Sequence, residues 1–344
     1  MSSSHSPSNT PSSDGCTLAG ALSVATAVAD GVTLVHGPAG CAHHHVSLLL
    51  TTLLDTPGAR LPTLLSDDLG EREVIFGGEA ALDEALDEAV ALSPGSIAVI
   101  QTCVADAIGD DCAAVASRIR SVPVVVVKSG GFLGGGFHEG EREALRAYAG
   151  LAARLPAPPE PDEGAVIALV GEKNLEYGAD RHADELGRLL GRLDLGIGLR
   201  FVRGVPTASF GLLPRADLLV LREPSLGAVA DRFPVRPRTP RVDGFPVGLS
   251  GTLGFLGAVG QALDRDATAA REAEIEHQET LLARFGGLSG ARIRLPGSPP
   301  WAVELAETLG MKVDGAGVPV PLPDPAPVGT DGLARLLVRW RRAL

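Results

Sequence analysis

The chain has 344 residues, 45% of them apolar, and a formal net charge of −12 at pH 7. A single core stops growing at roughly 250–300 residues, so two or three domains are expected. The acidic balance excludes a generic DNA- or RNA-binding role, and apolar runs such as Val122–Val127, ended by Lys128, fall short of the about 20 residues that cross a bilayer.

Met1–Asp14 is rich in Ser and Pro, without a basic start or an apolar middle, so residues 1–15 read as a disordered tail and not as a secretion signal. The expected compartment is the cytoplasm, and no membrane partner is expected. From Thr17 onward, short β-rich runs alternate with helical patterns. Gly31–Val35 is a strand candidate, followed by the turn HGPAG and a helix from near Cys41 that carries Val46, Leu49, Leu50 and Leu53. Ala80–Leu92 has helical spacing. Ser96–Ile100 and Val122–Val127 read as buried strands, with one helix, Val104–Ile119, between them. Apolar strands separated by helices predict an open parallel sheet covered on both faces.

The Pro-rich acidic stretch Ala153–Glu163 reads as a linker. A second unit follows, with strands at Ala165–Val170, Gly198–Val202 and Ala216–Leu221, a helix at Asp184–Leu193 and a closing helix at Gly248–Leu263. The last part offers a helix at Ala267–Phe285, one strand at Ala291–Leu295, a helix at Trp301–Leu309, a Pro-rich stretch and a final basic helix. A sheet with so little of its own must pack on another domain or subunit. The expected fold class is therefore α/β, with stacked Rossmann-like open parallel sheets and a truncated third domain. Its expected units are residues 16–155, a linker at 156–163, 164–265 and 266–344.

Three of only four cysteines stand in ordered contexts: Cys16 in DGCTLAGA, Cys41 in VHGPAGC and Cys103 in IQTCVADAIGDD. In a cytoplasmic protein, wide spacing of this kind favours metal binding over disulfides. Thiolates are the usual ligands of iron–sulfur clusters, and backbone N–H groups at loop–helix junctions tune such sulfurs. Gly37 and Gly40 would let the backbone approach a cofactor closely, and Pro38 stiffens their turn. Cys112 lies nine residues beyond Cys103, about 900° around a continuous helix, which places it on the opposite face as a core thiol.

His43, His44 and His45 follow Cys41 directly and point about 100° apart, so one or two of them can face a site; His43 and His44 are candidate proton donors, and His36 is expected to be structural. Asp110 and Asp111 either accept hydrogen bonds from a neighbouring loop or are solvated helix acids. The loop SGGFLGGGFHEG from Ser129 is glycine-rich but lacks the Lys-Ser/Thr of a phosphate-binding P-loop. Lys128, Lys173, Arg200, Arg203 and Arg222 fall near strand ends, where ligands bind in α/β sheets, with solvation as the plainer reading.

The segment CTLAGALSVATAVADGVTLVHGPAGC from Cys16, SDDLGEREVIFGGEAALDEAL from Ser66 and TCVADAIGDD from Thr102 together resemble the nitrogenase component 1 superfamily. VGEKNL from Val170 and FPVGLSGTLGFLGAVGQAL from Phe245 are similar to that family's second domain, and the likeness runs from about Cys16 to Met311. It implies a 4Fe–4S cluster at a subunit interface, held by Cys16, Cys41 and Cys103, with Gly37 and Gly40 beside it. A fourth ligand would come from a carboxylate, with Asp67, Asp68 and Asp106 as local candidates, or from a partner's thiolate. The resemblance also places the Ser129 loop near the cluster, making His138 a candidate catalytic residue.

Nitrogenase proper holds its large cofactor through a mid-chain cysteine and a histidine of the third domain, whereas this chain has no cysteine after Cys112. Within the superfamily the compact size and the continuation CAHHHVSLL are most similar to the catalytic subunit of Ni-sirohydrochlorin a,c-diamide reductive cyclase, which acts in factor 430 biosynthesis for methanogenesis. That likeness implies a nickel tetrapyrrole as substrate, a homodimer, and an ATP-hydrolysing iron–sulfur reductase as partner, since this chain carries no Walker motif. Alternatives are a protochlorophyllide-reductase-like subunit, the β-like half of a carbon–sulfur reductase, or a noncatalytic scaffold for iron–sulfur cofactor assembly.

Overall fold

A computed structural model of the chain describes residues 15–53, 61–118, 120–131, 135–158 and 164–344. The tail, the last five residues of the expected linker and the centre of the Ser129 loop lie outside the described residues. The first unit contains α1 (Thr17–Ala25), β1 (Gly31–His36), α2 (Ala39–Leu53), β2 (Thr63–Ser66), α3 (Glu71–Phe76), α4 (Glu79–Ala91), β3 (Ser96–Gln101), α5 (Cys103–Ile108), α6 (Cys112–Ala116), β4 (Val124–Lys128) and α7 (Phe137–Ala152). Its four strands are parallel in the order β2-β1-β3-β4. All six residues of β3 are buried, as expected for a strand covered on both faces. β1 and β3 run in register from Gly31 opposite Ser96 to His36 opposite Gln101. The chain leaves β1 towards β2 and returns on its other side at β3, which makes the carboxyl ends of β1 and β3 a switch point where ligands bind.

Two expectations change here. Instead of one helix over Val104–Ile119 there are two short ones, because Gly109 adopts φ +83° and ends α5, and Asp111 starts α6 by accepting from the Ala114 N–H (3.0 Å). In α2 the buried stripe is Ala42, His45, Leu49 and Thr52, while Val46 and Leu48 face outward.

The second unit comprises β5 (Ile167–Val170), α8 (Ala179–Gly191), β6 (Ile197–Phe201), a 3₁₀ segment over Thr207–Arg215, β7 (Leu218–Leu221), α9 (Gly227–Ala230), β8 (Arg241–Asp243) and α10 (Gly248–Ala262). Its parallel order β6-β5-β7-β8 repeats the winding of the first sheet. The third contains α11 (Thr268–Arg284), β9 (Arg292–Arg294), α12 (Pro300–Thr308), β10 (Lys312–Val313), β11 (Val318–Pro319) and α13 (Gly329–Ala343). Two strands of two residues each, too short to leave a period in the sequence, turn the expected single strand into a three-stranded parallel sheet, β10-β9-β11. The architecture is thus α/β with stacked, doubly wound parallel sheets.

The first two sheets share a core. Tyr148 of α7 and Phe201 of β6 both meet the Phe210 ring edge-on, at 5.5 and 5.6 Å between centroids. The third unit has its own core around Ile293, Leu305 and Trp340, and is tied to α8 by Arg188, which grips Glu185 and the buried Glu274 of α11. No helix among the described residues is long and apolar enough to cross a membrane.

Candidate functional site

Each of the three ordered cysteines stands in the first turn of a helix or at its cap: Cys16 caps α1, Cys41 is the third residue of α2, and Cys103 opens α5. The α2 and α5 turns leave the neighbouring ends of β1 and β3. They lock together because a Cβ on Gly37 would overlap the Thr102 side chain, and the Thr102 hydroxyl donates to the His36 carbonyl at 2.9 Å. α1 arrives by a different close approach: a Cβ on Gly20 would overlap the Phe137 carbonyl, and one on Gly140 the Thr17 carbonyl, so α1 and α7 cross backbone to backbone.

The three sulfurs sense one another. Burial pushes the Cys41 thiol up from its ordinary value, and negative charge on Cys103 and Cys16 pushes it further. A single tetrahedral zinc would draw its thiolates to about 3.8 Å apart, from Zn–S bonds of about 2.3 Å. The cysteines form no such group: among the described residues, the one set of ligand atoms within 4.8 Å of one another is His138, Glu141 and Glu223. Three half-exposed or exposed thiols at wider spacing suit a larger, thiolate-held cluster. Gly40 has open space where a Cβ would stand, whereas a Cβ on Gly37 would meet Thr102.

Beneath the HGPAG turn, His36 is fully buried between two carboxylates, its Nδ1 against Asp67 and its Nε2 donating to Asp110 at 3.0 Å. Burial opposes its charge, but the hydrogen bonds to Asp67 and Cys112 and the negative charge around it prevail, and its pKa rises to about 10. Asp67 also accepts from the Gly37 N–H (3.0 Å), and Asp110 accepts from the Gly78 N–H (3.0 Å). Asp110 thus holds a neighbouring loop. Asp68 accepts from Ala39 N–H at the start of α2 (3.0 Å). Of Asp67, Asp68 and Asp106, only Asp106 has a carboxylate that accepts no hydrogen bond among the described residues. Cys112 is buried in the core beneath β3, although α6, not a continuous helix, carries it there.

Of the three consecutive histidines, His43 and His44 point outward and His45 points in. His45 Nδ1 donates to the Cys41 carbonyl at 2.6 Å, and its Nε2 lies 3.9 Å from Cys16 Sγ. Burial lowers its pKa, partly offset by that carbonyl, so the ring is neutral near pH 7. The i, i+3, i+4 stripe of Ala42, His45 and Leu49 was the signal that singles it out. His138, exposed at the start of α7, meets the buried Glu141 at 3.3 Å and Glu223 at 3.6 Å; Lys173 donates to Glu141 at 2.8 Å. The hydrogen bond to Glu141 raises the His138 pKa above its ordinary value, against burial.

His138, Lys173 and Arg222 line a cavity of about 650 Å³ that reaches Gly15, next to Cys16, and Thr52 of α2. Three of the strand-end cations are paired: Arg200 with Glu172 and Asp180, Arg203 with Asp180 and Asn174, Arg222 with Glu176. Lys128 is exposed. In VGEKNL, Asn174 ties the second unit to α1, donating to the carbonyls of Thr26 (2.7 Å) and, through its backbone, Ser23 (2.8 Å).

Repeated doubly wound parallel sheets, with thiols at helix starts near the switch point of the first, define an α/β protein with a candidate ligand site. The chain belongs to the nitrogenase component 1 type oxidoreductases, whose family model matches residues 16–326. It is similar to the nitrogenase iron-molybdenum cofactor biosynthesis protein NifE of Methanosarcina barkeri, 36% identical over 158 residues, covering 43% of this chain and 31% of that protein. NifE of Clostridium pasteurianum is 39% identical over 133 residues, 38% of this chain and 29% of that one. The nitrogenase iron-iron protein alpha chain of Rhodobacter capsulatus is 29% identical over 248 residues, 68% and 45% of the two chains. The chain therefore spans about a third to a half of the length of these relatives. The solved structure of nitrogenase Cp1 at pH 5 superposes with TM-score 0.69 at 21% identity, covering 90% of this chain and 65% of that one, and shares its fold.

Proposed function

We propose that the chain is the electron-accepting subunit of a nitrogenase-like, ATP-dependent reductase, and that Cys16, Cys41 and Cys103 hold an iron–sulfur cluster at a contact between subunits. The observation that carries this reading is that three helix-start thiols lie close enough for charge on Cys103 and Cys16 to act on Cys41, while Gly15, next to Cys16, lines a cavity of about 650 Å³. Such a cluster supplies low-potential one-electron transfer. Asp106 or a partner subunit completes its ligands. α3, packed near α5, presents Ile75 and Phe76 at 71% and 81% exposure, an apolar edge suited to a second copy of the chain. ATP hydrolysis belongs to a separate iron–sulfur reductase.

In the cavity, Lys173 and Arg222 offer charge to carboxylates, and His138, its proton held by Glu141, is placed to protonate a reduced substrate. His43 and His44, on the outer face of α2, sit where a partner protein docks. The substrate in this reading is Ni-sirohydrochlorin a,c-diamide, whose macrocycle is reduced and closed to a γ-lactam in factor 430 biosynthesis. A second reading, a scaffold on which an iron–sulfur cofactor is assembled, has its own support in the similarity to NifE, a nitrogenase iron-molybdenum cofactor biosynthesis protein.

Anaerobic reconstitution tests the shared part: the wild type should be brown, with about four irons per cluster, and the Cys16→Ser/Cys41→Ser/Cys103→Ser variant colourless. A colourless wild type overturns it. Incubation with an ATP-hydrolysing reductase, MgATP and Ni-sirohydrochlorin a,c-diamide then separates the readings. Turnover to the lactam supports the cyclase; no turnover, with stable retention of an iron–sulfur cofactor precursor, supports the scaffold.

A further inference from the structure

Away from the cysteines, Arg181 in the first turn of α8 faces Arg335 and Arg339 of α13 across a groove of about 470 Å³. The groove adjoins the larger cavity, with Tyr177 and Asp324 lining both. In a chain of net charge −12, other arginines of the second unit have carboxylate partners, such as Arg188 with Glu274, Arg200 with Glu172 and Arg222 with Glu176. Arg181, Arg335 and Arg339 differ: among the described residues none of the three has a hydrogen-bond or ion-pair partner.

All three are exposed at the groove mouth, and their charges crowd one another. Arg335 and Arg339 are four residues apart and share one face of α13, a like-charge spacing that weakens a helix. The Arg335 pKa is lowered, first by partial desolvation against the groove wall and then by the charge of Arg181; Asp331, Glu185 and Asp184 offset this only in part. His182 completes the wall. Its side chain is 9% exposed, with Nδ1 bonded to Glu176 at 2.8 Å and Nε2 without a hydrogen-bond partner among the described residues.

We propose that this groove binds a small polyanion bearing at least two carboxylate or phosphate groups, clamped between Arg181 and the Arg335–Arg339 pair. Guanidinium forks bind both anion types in bidentate fashion, and the volume suits a multiply charged small molecule better than a single inorganic ion. Because α8 and α13 belong to different units, the ligand would also fasten the third unit to the second. The site stands independently of which molecule the cysteine-side cavity holds.

Thermal shift and calorimetry at low ionic strength test this, with tricarballylate as the carboxylate probe and pyrophosphate as the phosphate probe. One or both should bind and raise the Tm by several degrees, and the tighter of the two identifies the anion class. Arg335→Gln/Arg339→Gln, and separately Arg181→Gln, should weaken binding at least tenfold, while Arg232→Gln, an exposed charge elsewhere, should not. Circular dichroism and iron content unchanged from wild type establish that the variants are folded. Absence of binding by the wild type at millimolar probe overturns the proposal. So does equal weakening by Arg232→Gln, which would mean that only net charge is sensed.

Discussion

His36 holds two carboxylates together under the turn that presents Cys41. Its pKa is about 10 in the fold against 6.5 in an unfolded chain, so its contribution is complete below about pH 6.5 and is lost as pH rises through 10. Denaturant unfolding of the apoprotein should show stability falling across that window. The slope should disappear in His36→Gln, which should itself cost about 3–5 kcal/mol by leaving Asp67 and Asp110 buried without their partner. At the same scale, single Cys16→Ser, Cys41→Ser and Cys103→Ser variants should each lose most of their iron on reconstitution, whereas Cys112→Ser should keep it, as metal analysis and absorbance near 400 nm would report. The two sets of thiols differ in burial: Cys16, Cys41 and Cys103 are exposed or half-exposed, whereas Cys112, although it opens α6, is sealed in the core.

Among the elements, the α1–α7 crossing decides where Cys16 and His138 lie. Gly20 and Gly140 meet the opposing backbone directly, and no rotamer change can relieve an added methyl group. Gly20→Ala should therefore cost about 3 kcal/mol or more. A thermal melt should show the loss, accompanied by weaker iron retention because the Cys16 cap moves with α1. The composition of α1, nine small or apolar residues all buried, carries no amphipathic period, so the sequence pattern marked it only as part of a motif. The strands β3 and β7 were legible because they are continuous apolar runs. The break between α5 and α6 depended on one left-handed glycine and a capping aspartate that a hydrophobic period does not register.

Across the whole molecule, the shared core of the first two sheets and the Arg188–Glu274 tie of the third imply a single unfolding transition. Both tryptophans, Trp301 and Trp340, lie in the third unit, so their fluorescence reports there while far-ultraviolet circular dichroism reports everywhere. The two denaturation curves should coincide; a fluorescence transition at lower denaturant would mean that the third unit opens on its own. The exposed edge at Ile75 and Phe76 belongs to this scale as well. Ile75→Ser/Phe76→Ser should lower the sedimentation coefficient from dimer to monomer without lowering the melting temperature of the subunit.

The sequence by itself determined the fold class and the family, because buried strands must be apolar on both faces and because ordered motifs around Cys16, Cys41 and Cys103 leave a local signature. It also placed Gly37 and His36 in a turn, though not what they touch there. Only the tertiary structure decided that His45, not His43 or His44, turns towards Cys16, that Asp67 and Asp110 are bound to His36, and that Arg181 meets Arg335 across 154 residues of chain. Each of these depends on which face of a helix is buried and which distant strand end lies beside it. Long-range packing sets both, and a local pattern of residues does not contain it.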